Sequence, residues 1–356
     1  MTDINCHADM SGYHRDKVTL ALEQQKEMRA ARDSGRDRLR KGLDTAGKPQ
    51  PREVRSQGSY QMRTMVQDPD KDYDIDDGAY FRFEDLKDDD GLELTPLAAR
   101  QRVCDALKWD GRFKSEAEVK NNCVRQPYAV GYHIDVPVYR IVTERDLSGD
   151  IVDRYELASG DSWVISDARA VTKWFNDQVS KLNSGQADEL KSGQADGSQM
   201  RRITKLTKKF ARRAEWKAYT TSGITITKLI VDHFVANADR EDKALRQTWQ
   251  QIHLALSCST QVAHPIVAKN LAEQGDAEVT YFRDCLKEAL DTLEVLDRED
   301  CTRVMACKAW DSVFDTCFFS NQPDPGTANK ASDSGIAMSV TSVETARRVD
   351  GGGRFG

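Results

Sequence analysis

Aspartates stand at 68, 70, 72, 74, 76 and 77, in the run QGSYQMRTMVQDPDKDYDIDDGAYF that spans residues 57–81. Carboxylates at that density repel one another unless cations or water separate them. Three chemistries compete for them. A solvated turn suits QDPDKD. A calcium loop of the EF-hand type needs glycine at its sixth position and glutamate at its twelfth. Counting from Asp70 puts Ile75 and Phe81 there, and counting from Asp68 puts Tyr73 and Ala79, so the spacing excludes it. The third chemistry uses strand geometry. In DYDIDD, Asp74 and Asp76 are two apart, so on a strand they face the same way with Cα atoms roughly 6–7 Å apart, while Asp77 faces the other way. Such a pair suits two divalent ions roughly 3.5–4 Å apart, an arrangement that serves phosphoryl transfer. Magnesium fits hard oxygen ligands and completes its shell with phosphate and water.

A third carboxylate is expected from a neighbouring strand, and YHIDVPV offers Asp135 on an otherwise apolar segment. Gly58 lets backbone approach a ligand closely, and Ser59 adds a hydroxyl beside its amide, a combination that cradles phosphate oxygens. The basic segment 201–217, RRITKLTKKFARRAEWK, places Arg201, Lys205, Lys208 and Arg212 on one helical face at three- and four-residue steps. A lysine from that face is available to a triphosphate. Trp216 and Trp249 are expected in the core.

The elements that must position these groups follow from periodicity. Residues 14–47 predict a long, mostly exposed helix with a sparse apolar stripe of Val18, Leu20, Leu22, Leu39 and Leu43. DYDIDDGAYFRF and GYHIDVPVYRIV alternate at period two and predict strands. Between them, LTPLAARQRVCDALKWD predicts a helix capped by Thr95 with Pro96 in its first turn. Residues 167–183 predict another, with Asp167 as its cap. SGQAD occurs at 184–188 and again at 192–196, marking a flexible insertion over 184–199. Helical patterns dominate from 201 to about 320. The segment 321–356 has few large apolar side chains and is expected to be a disordered tail.

In this order and spacing, the Gly-Ser pair, D-x-D strand and distant aspartate resemble the polymerase-β-like nucleotidyltransferase superfamily. Within it, the stretches above together with GDSWVISDARAVTKWFND and TTSGITITKLI resemble the bacterial cGAS/DncV-like nucleotidyltransferases, over roughly residues 55–235. The resemblance implies an α+β fold: a nucleotidyltransferase palm, with a mixed sheet and helices, packed on a C-terminal helical lobe behind a long N-terminal helix. The implied domains are a helical segment 1–50, a palm 51–200, a helical lobe 201–320 and the tail. The resemblance implies synthesis of a cyclic oligonucleotide second messenger, a cyclic dinucleotide built from ATP and GTP above all, acting through a downstream effector in anti-phage defence. It carries the metal ligands onto Asp74, Asp76 and Asp135, with two Mg²⁺ ions or Mn²⁺ in their place. It carries phosphate contacts onto Gln57, Gly58 and Ser59, donor triphosphate contacts onto Lys208 and Ser222, and nucleobase contacts onto Ser166 and Asp167. Some members are attached through a C-terminal glycine by ubiquitin-like machinery, which makes Gly356 a conjugation candidate. This chain departs from the pattern in its SGQAD insertion and in having no proline just before Ser222.

Composition sets the bounds on these readings. Over 356 residues, 31% are charged and the net charge is −6, which argues against broad nucleic-acid binding. Mean hydropathy is −0.66, and no run reaches the roughly 18 apolar residues that span a bilayer. The N-terminus shows no secretory pattern. Eight scattered cysteines without a CxxC pair predict reduced thiols in a cytoplasmic protein, expected to be a monomer with neither membrane nor stable nucleic-acid partner. The rival readings are a linear oligonucleotide synthetase, an RNA-tailing enzyme, and an inactive nucleotide-binding sensor.

Overall fold

The computed structural model describes residues 4–68, 73–108, 116–129, 131–184 and 197–323. Asp70, Asp72, residues 185–196 of the expected insertion and residues 324–356 of the expected tail, Gly356 included, lie outside them, while Ser184 and residues 197–199, expected in the insertion, belong to helices. The described residues up to Ser320 belong to one compact unit.

A mixed sheet carries the site. Its strands are β1 (Glu53–Gln57), β2 (Asp74–Arg82), β3 (Glu118–Val119), β4 (Val124–Pro127), β5 (His133–Val136), β6 (Val138–Arg145), β7 (Ile151–Ser159) and β8 (Ser162–Ile165). Strand β2 pairs antiparallel with β1 on one edge and parallel with β5 and then β6 on the other. Pro137 separates β5 from β6 without breaking the face alternation, and its carbonyl accepts from Ala79 N at 2.9 Å. Both expected strands therefore form, and a parallel pair brings the D-x-D strand beside the H-x-D strand.

Period-two alternation divides the sheet into two faces. Ile75, Ala79, Phe81, Ile134, Val136 and Val138 pack in one core with Leu39 and Leu43 of α2 (Leu22–Thr45, after α1, His7–Tyr13). After the short α3 (Gly58–Gln61), α4 (Pro96–Lys108) adds Ala99, Val103 and Leu107 to that core. Thr95 caps α4 as expected, accepting from Ala98 N at 3.1 Å. Asp77, pointing to this side, takes both forks of Arg36 on α2 at 2.5 and 2.7 Å and the Ser56 hydroxyl at 2.8 Å. A buried carboxylate held this way is satisfied and unavailable for other chemistry.

A second core joins the remaining helices: α5 (Ala168–Ser184), α6 (Gly197–Ala211), α7 (Gly223–His233), α8 (Glu241–Cys258), α9 (Ala277–Thr292) and α10 (Arg303–Phe314). Asp167 caps α5 through Arg169 N at 3.0 Å and Ala170 N at 3.1 Å, and α5 gives Val171, Phe175 and Val179 to this helical core. Trp216 and Trp249 are buried in it, as expected. A short ribbon, Val262–Ala263 with Asn270–Ala272, interrupts the helical run.

The N-terminus departs from expectation. The long helix begins at Leu22 rather than near residue 14, and α1 with one wide turn (His14–Val18) precedes it. Thr19 is extended because Gln67 competes for the chain there: its amide donates to Val18 O at 2.8 Å and its side chain donates to Thr19 O. Leu22 is exposed, while Val18 and Leu20 are buried. Helix α1 docks on the helical lobe through Met10 and Tyr13, with Asp9 paired to Arg303 at 2.8 Å.

Helices α2 and α4 touch at Gly42. A Cβ there would stand 2.0 Å from the Ala106 carbonyl oxygen, whereas at Gly35 the nearest atom is 3.9 Å away, at the tip of Arg38. Gly42→Ala is therefore expected to lower stability by about 1–3 kcal/mol through overpacking. Gly35→Ala, by contrast, leaves stability unchanged or raises it by roughly 0.5–1 kcal/mol through helix propensity. Chemical denaturation of the two variants beside the parent measures both; equal effects would remove the close crossing.

Candidate active site

Asp74 and Asp76 face the side of the sheet away from α2 and α4. The parallel register sets His133 beside Asp74 and Asp135 beside Asp76, so four polar groups form a square on two adjacent strands. One ligand atom each from Asp74, His133 and Asp135 lie within 4.8 Å of one another, close enough to share a metal ion. The third carboxylate thus converges with the first, across 61 residues of chain.

The acidic run sorts by partner. Asp68 is buried against Lys217 at 3.1 Å, and Asp77 is held by Arg36. Among the described residues, Asp74 and Asp76 have no ion-pair partner. Burial pushes both carboxyls above their usual range, and Asp135 reinforces this at each; Asp74 adds its charge at Asp76, which is raised the more strongly. Asp135 moves the opposite way. Its burial is outweighed by hydrogen bonds from His133 and Arg125, which keep its carboxyl below the usual range. Arg125 reaches it at 2.9 and 2.8 Å and His133 Nδ1 at 3.0 Å. A desolvated carboxylate pair with no cation of its own, beside a third carboxylate, is a donor set of hard oxygens that fits Mg²⁺ or Mn²⁺.

A cavity of about 370 Å³ opens over Asp74 and Asp76. Gly58 and Ser59 line one wall, Ser166 and Val171 another, and Lys208, Arg212 and Gly223 the side toward the helical lobe. The volume lies within the range of small-ligand sites. Gly58 has a left-handed φ of +63°, and a Cβ there would fall 2.3 Å from an Asp76 carboxylate oxygen. Only glycine permits this approach.

Lys208 Nζ is buried at the end of α6 and donates to Thr64 Oγ1 at 3.2 Å. Burial, helped by Arg212 and opposed by Asp74, brings its ammonium down to about 7. Arg212 lines the cavity mouth and is exposed. Gly223 packs 3.6 Å from the Lys208 side chain, measured from the Cβ it lacks. Ser222, next to it, is exposed and caps α7, accepting from Thr225 N at 3.3 Å.

One expectation needs correction. Gln57 does not present its side chain to the cavity: its amide donates to Tyr139 OH at 2.9 Å and its carbonyl accepts from Tyr80 OH at 2.7 Å. The two tyrosine rings stack at 4.5 Å, and Gly78 leaves room for the Gln57 oxygen, so Gln57 belongs to the floor under the site. The basic residues of 201–212 divide between two clefts. Lys208 and Arg212 line the cavity over the aspartates, while Arg201 and Lys205 line a second cleft of about 740 Å³ with Arg29, Tyr60 and Arg63. Asp167 is a helix cap outside the cavity lining, next to Ser166, which lines it.

His133, Arg125 and Thr64 were not read from the sequence as site residues. His133 had a usable signal, since it stands two before Asp135 on a strand and must share its face. Arg125 had none, because its place depends on the β4–β5 register that puts it opposite Asp135.

The comparisons agree with this geometry. The nucleotidyltransferase domain described as cyclic GMP-AMP synthase DncV-like matches residues 52–139, which span the Gly-Ser turn and all three aspartates. The Escherichia coli DncV structure with 3′-deoxy GTP bound is 17% identical, with a TM-score of 0.63 over 85% of this chain and 94% of that one. Vibrio cholerae DncV cyclic AMP-GMP synthase with nonhydrolyzable GTP is 19% identical, with a TM-score of 0.64 over 87% and 95%. The same enzyme with the linear intermediate 5′ pppA(3′,5′)pG is 17% identical, at 0.62 over 87% and 95%. Residues 52–139 thus match a DncV-like nucleotidyltransferase domain, and the chain as a whole shares the fold of these DncV structures.

Proposed function

We propose that this protein is a Mg²⁺-dependent synthase that joins nucleoside triphosphates into a cyclic di- or oligonucleotide. The observation that carries the reading is the convergence of Asp135 with Asp74 and Asp76, the pair that lines a cavity walled by Gly58 and Ser59. In this reading Asp74, Asp76 and Asp135 hold two divalent ions. Bound there, the ions lower the pKa of the acceptor ribose hydroxyl and neutralise charge on the departing pyrophosphate.

The chain's own groups do the rest. Gly58 and Ser59 approach the donor phosphates, and the bare Cα of Gly58 keeps Asp76 in place. Lys208, in the last turn of α6, and Arg212, just after it, line the same cavity and supply positive charge to the triphosphate. Burial brings the Lys208 ammonium down to about 7, so an anion beside it would favour its charged form. Ser222 reaches the donor from the α7 cap, and Ser166 meets the base where α5 begins. Asp135, held by Arg125 and His133, faces the nucleophile side and takes part in receiving the hydroxyl proton.

The cyclic product is supported by the relatives, described as cyclic AMP-GMP synthases, one with a linear pppApG intermediate. We extend the reading to ATP and GTP as substrates, a downstream effector that senses the product, an anti-phage role, a cytoplasmic monomer, and attachment through Gly356. The palm and helical lobe limits near residues 50, 200 and 320 are kept as part of this proposal. Among the described residues no helix is long and apolar enough to cross a membrane. Mass spectrometry of protein expressed beside ubiquitin-like conjugation machinery tests the Gly356 attachment.

Incubation with radiolabelled ATP, GTP, CTP and UTP plus Mg²⁺, read by mass spectrometry, is expected to give a cyclic product. A linear 2′-linked or primer-extended product would favour the rival enzymes instead, and no pyrophosphate release would favour a sensor. Asp74→Asn with Asp76→Asn is expected to cut transfer about a thousandfold or more while the far-UV spectrum stays unchanged. Gly58→Ala is expected to cost about a hundredfold by displacing the Asp76 carboxylate, and retention of full activity would separate the Gly-Ser turn from the reaction.

A further inference from the structure

Both oxygens of Asp135 are engaged. An ionised carboxylate offers about four lone-pair sites. Oδ1 accepts from Arg125 Nε at 2.9 Å and lies 3.0 Å from His133 Nδ1, and Oδ2 accepts from Arg125 Nη2 at 2.8 Å. The Cys123 thiol is buried near this carboxylate, whose charge helps burial push the thiol up to about 12. The contrast with its neighbours is sharp. Asp74 and Asp76 carry no ion pair among the described residues, while the third member of the set carries a two-pronged one.

A cation seated on Asp135 therefore displaces something. His133 has no room to leave, since it is buried and its ring lies in the square of site residues. Arg125 has room: its side chain is 35% exposed, against 6% for Asp135. It stands opposite Asp135 across the β4–β5 pair, on a flexible side chain, and its charge also interacts with Asp74.

We propose that Arg125 is a latch on the third carboxylate. With no cation bound, its guanidinium holds both oxygens of Asp135, neutralises one of three crowded carboxylates, and keeps the site from closing on a metal. Cation binding breaks the fork, and Asp135 turns from a paired side chain into a ligand. The latch makes Arg125 a positioning residue rather than a catalytic one. This rests on the reading that the three aspartates hold a divalent ion.

The test is Mn²⁺ affinity, read from the free-ion signal in electron paramagnetic resonance, with Mn²⁺ alone and no turnover. Arg125→Lys keeps the charge but cannot hold both oxygens. It is expected to bind Mn²⁺ about tenfold more tightly than the parent, the weight of one charge-assisted hydrogen bond. Arg125→Gln, without the charge, is expected to bind more tightly still. Thermal melts establish that each variant is folded, and if one is not, the other carries the comparison. An Arg125→Lys protein that binds Mn²⁺ as the parent does, or more weakly, overturns the latch and leaves a plain structural ion pair or a bare charge effect. Asp74→Asn with Asp76→Asn is the separating control. Loss of Mn²⁺ binding in it upholds the metal reading even if the latch fails, and unchanged binding in it, or no Mn²⁺ binding by the parent, overturns both.

Discussion

Three carboxylates forced onto adjacent positions of one buried sheet face are the constraint that organises this protein. Their mutual repulsion and loss of water raise the protonation tendency of Asp74 and Asp76. A fold gains nothing from such crowding unless a cation is part of its working state. The surrounding sequence shows how much is spent to keep the arrangement. Asp77, one residue on and on the other face, is fully satisfied by Arg36 and Ser56, so its charge does not add to the problem. Asp135 is held down by Arg125 and His133. The pair left over is the pair that faces the cavity.

The elements around the pair serve its placement. Parallel pairing of β2 with β5 brings residues 74 and 135 together, and the α4 crossover that makes parallel pairing feasible also covers the opposite face of the sheet. Close approach at Gly42 lets α2 and α4 lie flat on that face. On the site face, the stacked Tyr80 and Tyr139 rings and the Gln57 amide form a rigid floor, and Gly58 brings backbone against Asp76. The helical core supplies the opposite charge, Lys208 from the last turn of α6 and Arg212 just after it. Carboxylates on one wall and cations on the other match a ligand that carries both phosphates and divalent metal.

Much of this was legible from residue order. Period two places Asp74 with Asp76 and against Asp77, and it would have placed His133 with Asp135 had the pattern H-x-D been read as D-x-D was. Caps at Thr95 and Asp167 were legible because a side-chain oxygen ahead of a helical pattern has one local use. What escaped depends on distant pairing. Arg125 meets Asp135 only through the hairpin register, and Gln57 turns inward only because Gly78 leaves a gap beneath it. The basic stretch from Arg201 to Arg212 spans twelve residues, roughly 16 Å of rise, long enough to reach two clefts, one lined by Met62 and the other by Asn176. Helix α1, with seven residues, is too short for periodicity to declare it, and its burial comes from docking on the helical lobe.

The central claim is that the aspartate pair exists to hold divalent ions against a triphosphate. Anomalous diffraction from crystals grown with Mn²⁺ and a nonhydrolysable nucleoside triphosphate tests it most directly. The account predicts two peaks about 4 Å apart, bridged by Asp74 and Asp76 and facing the cavity wall of Gly58 and Ser59. Triphosphate seated in that cavity with no peak at either carboxylate would contradict it.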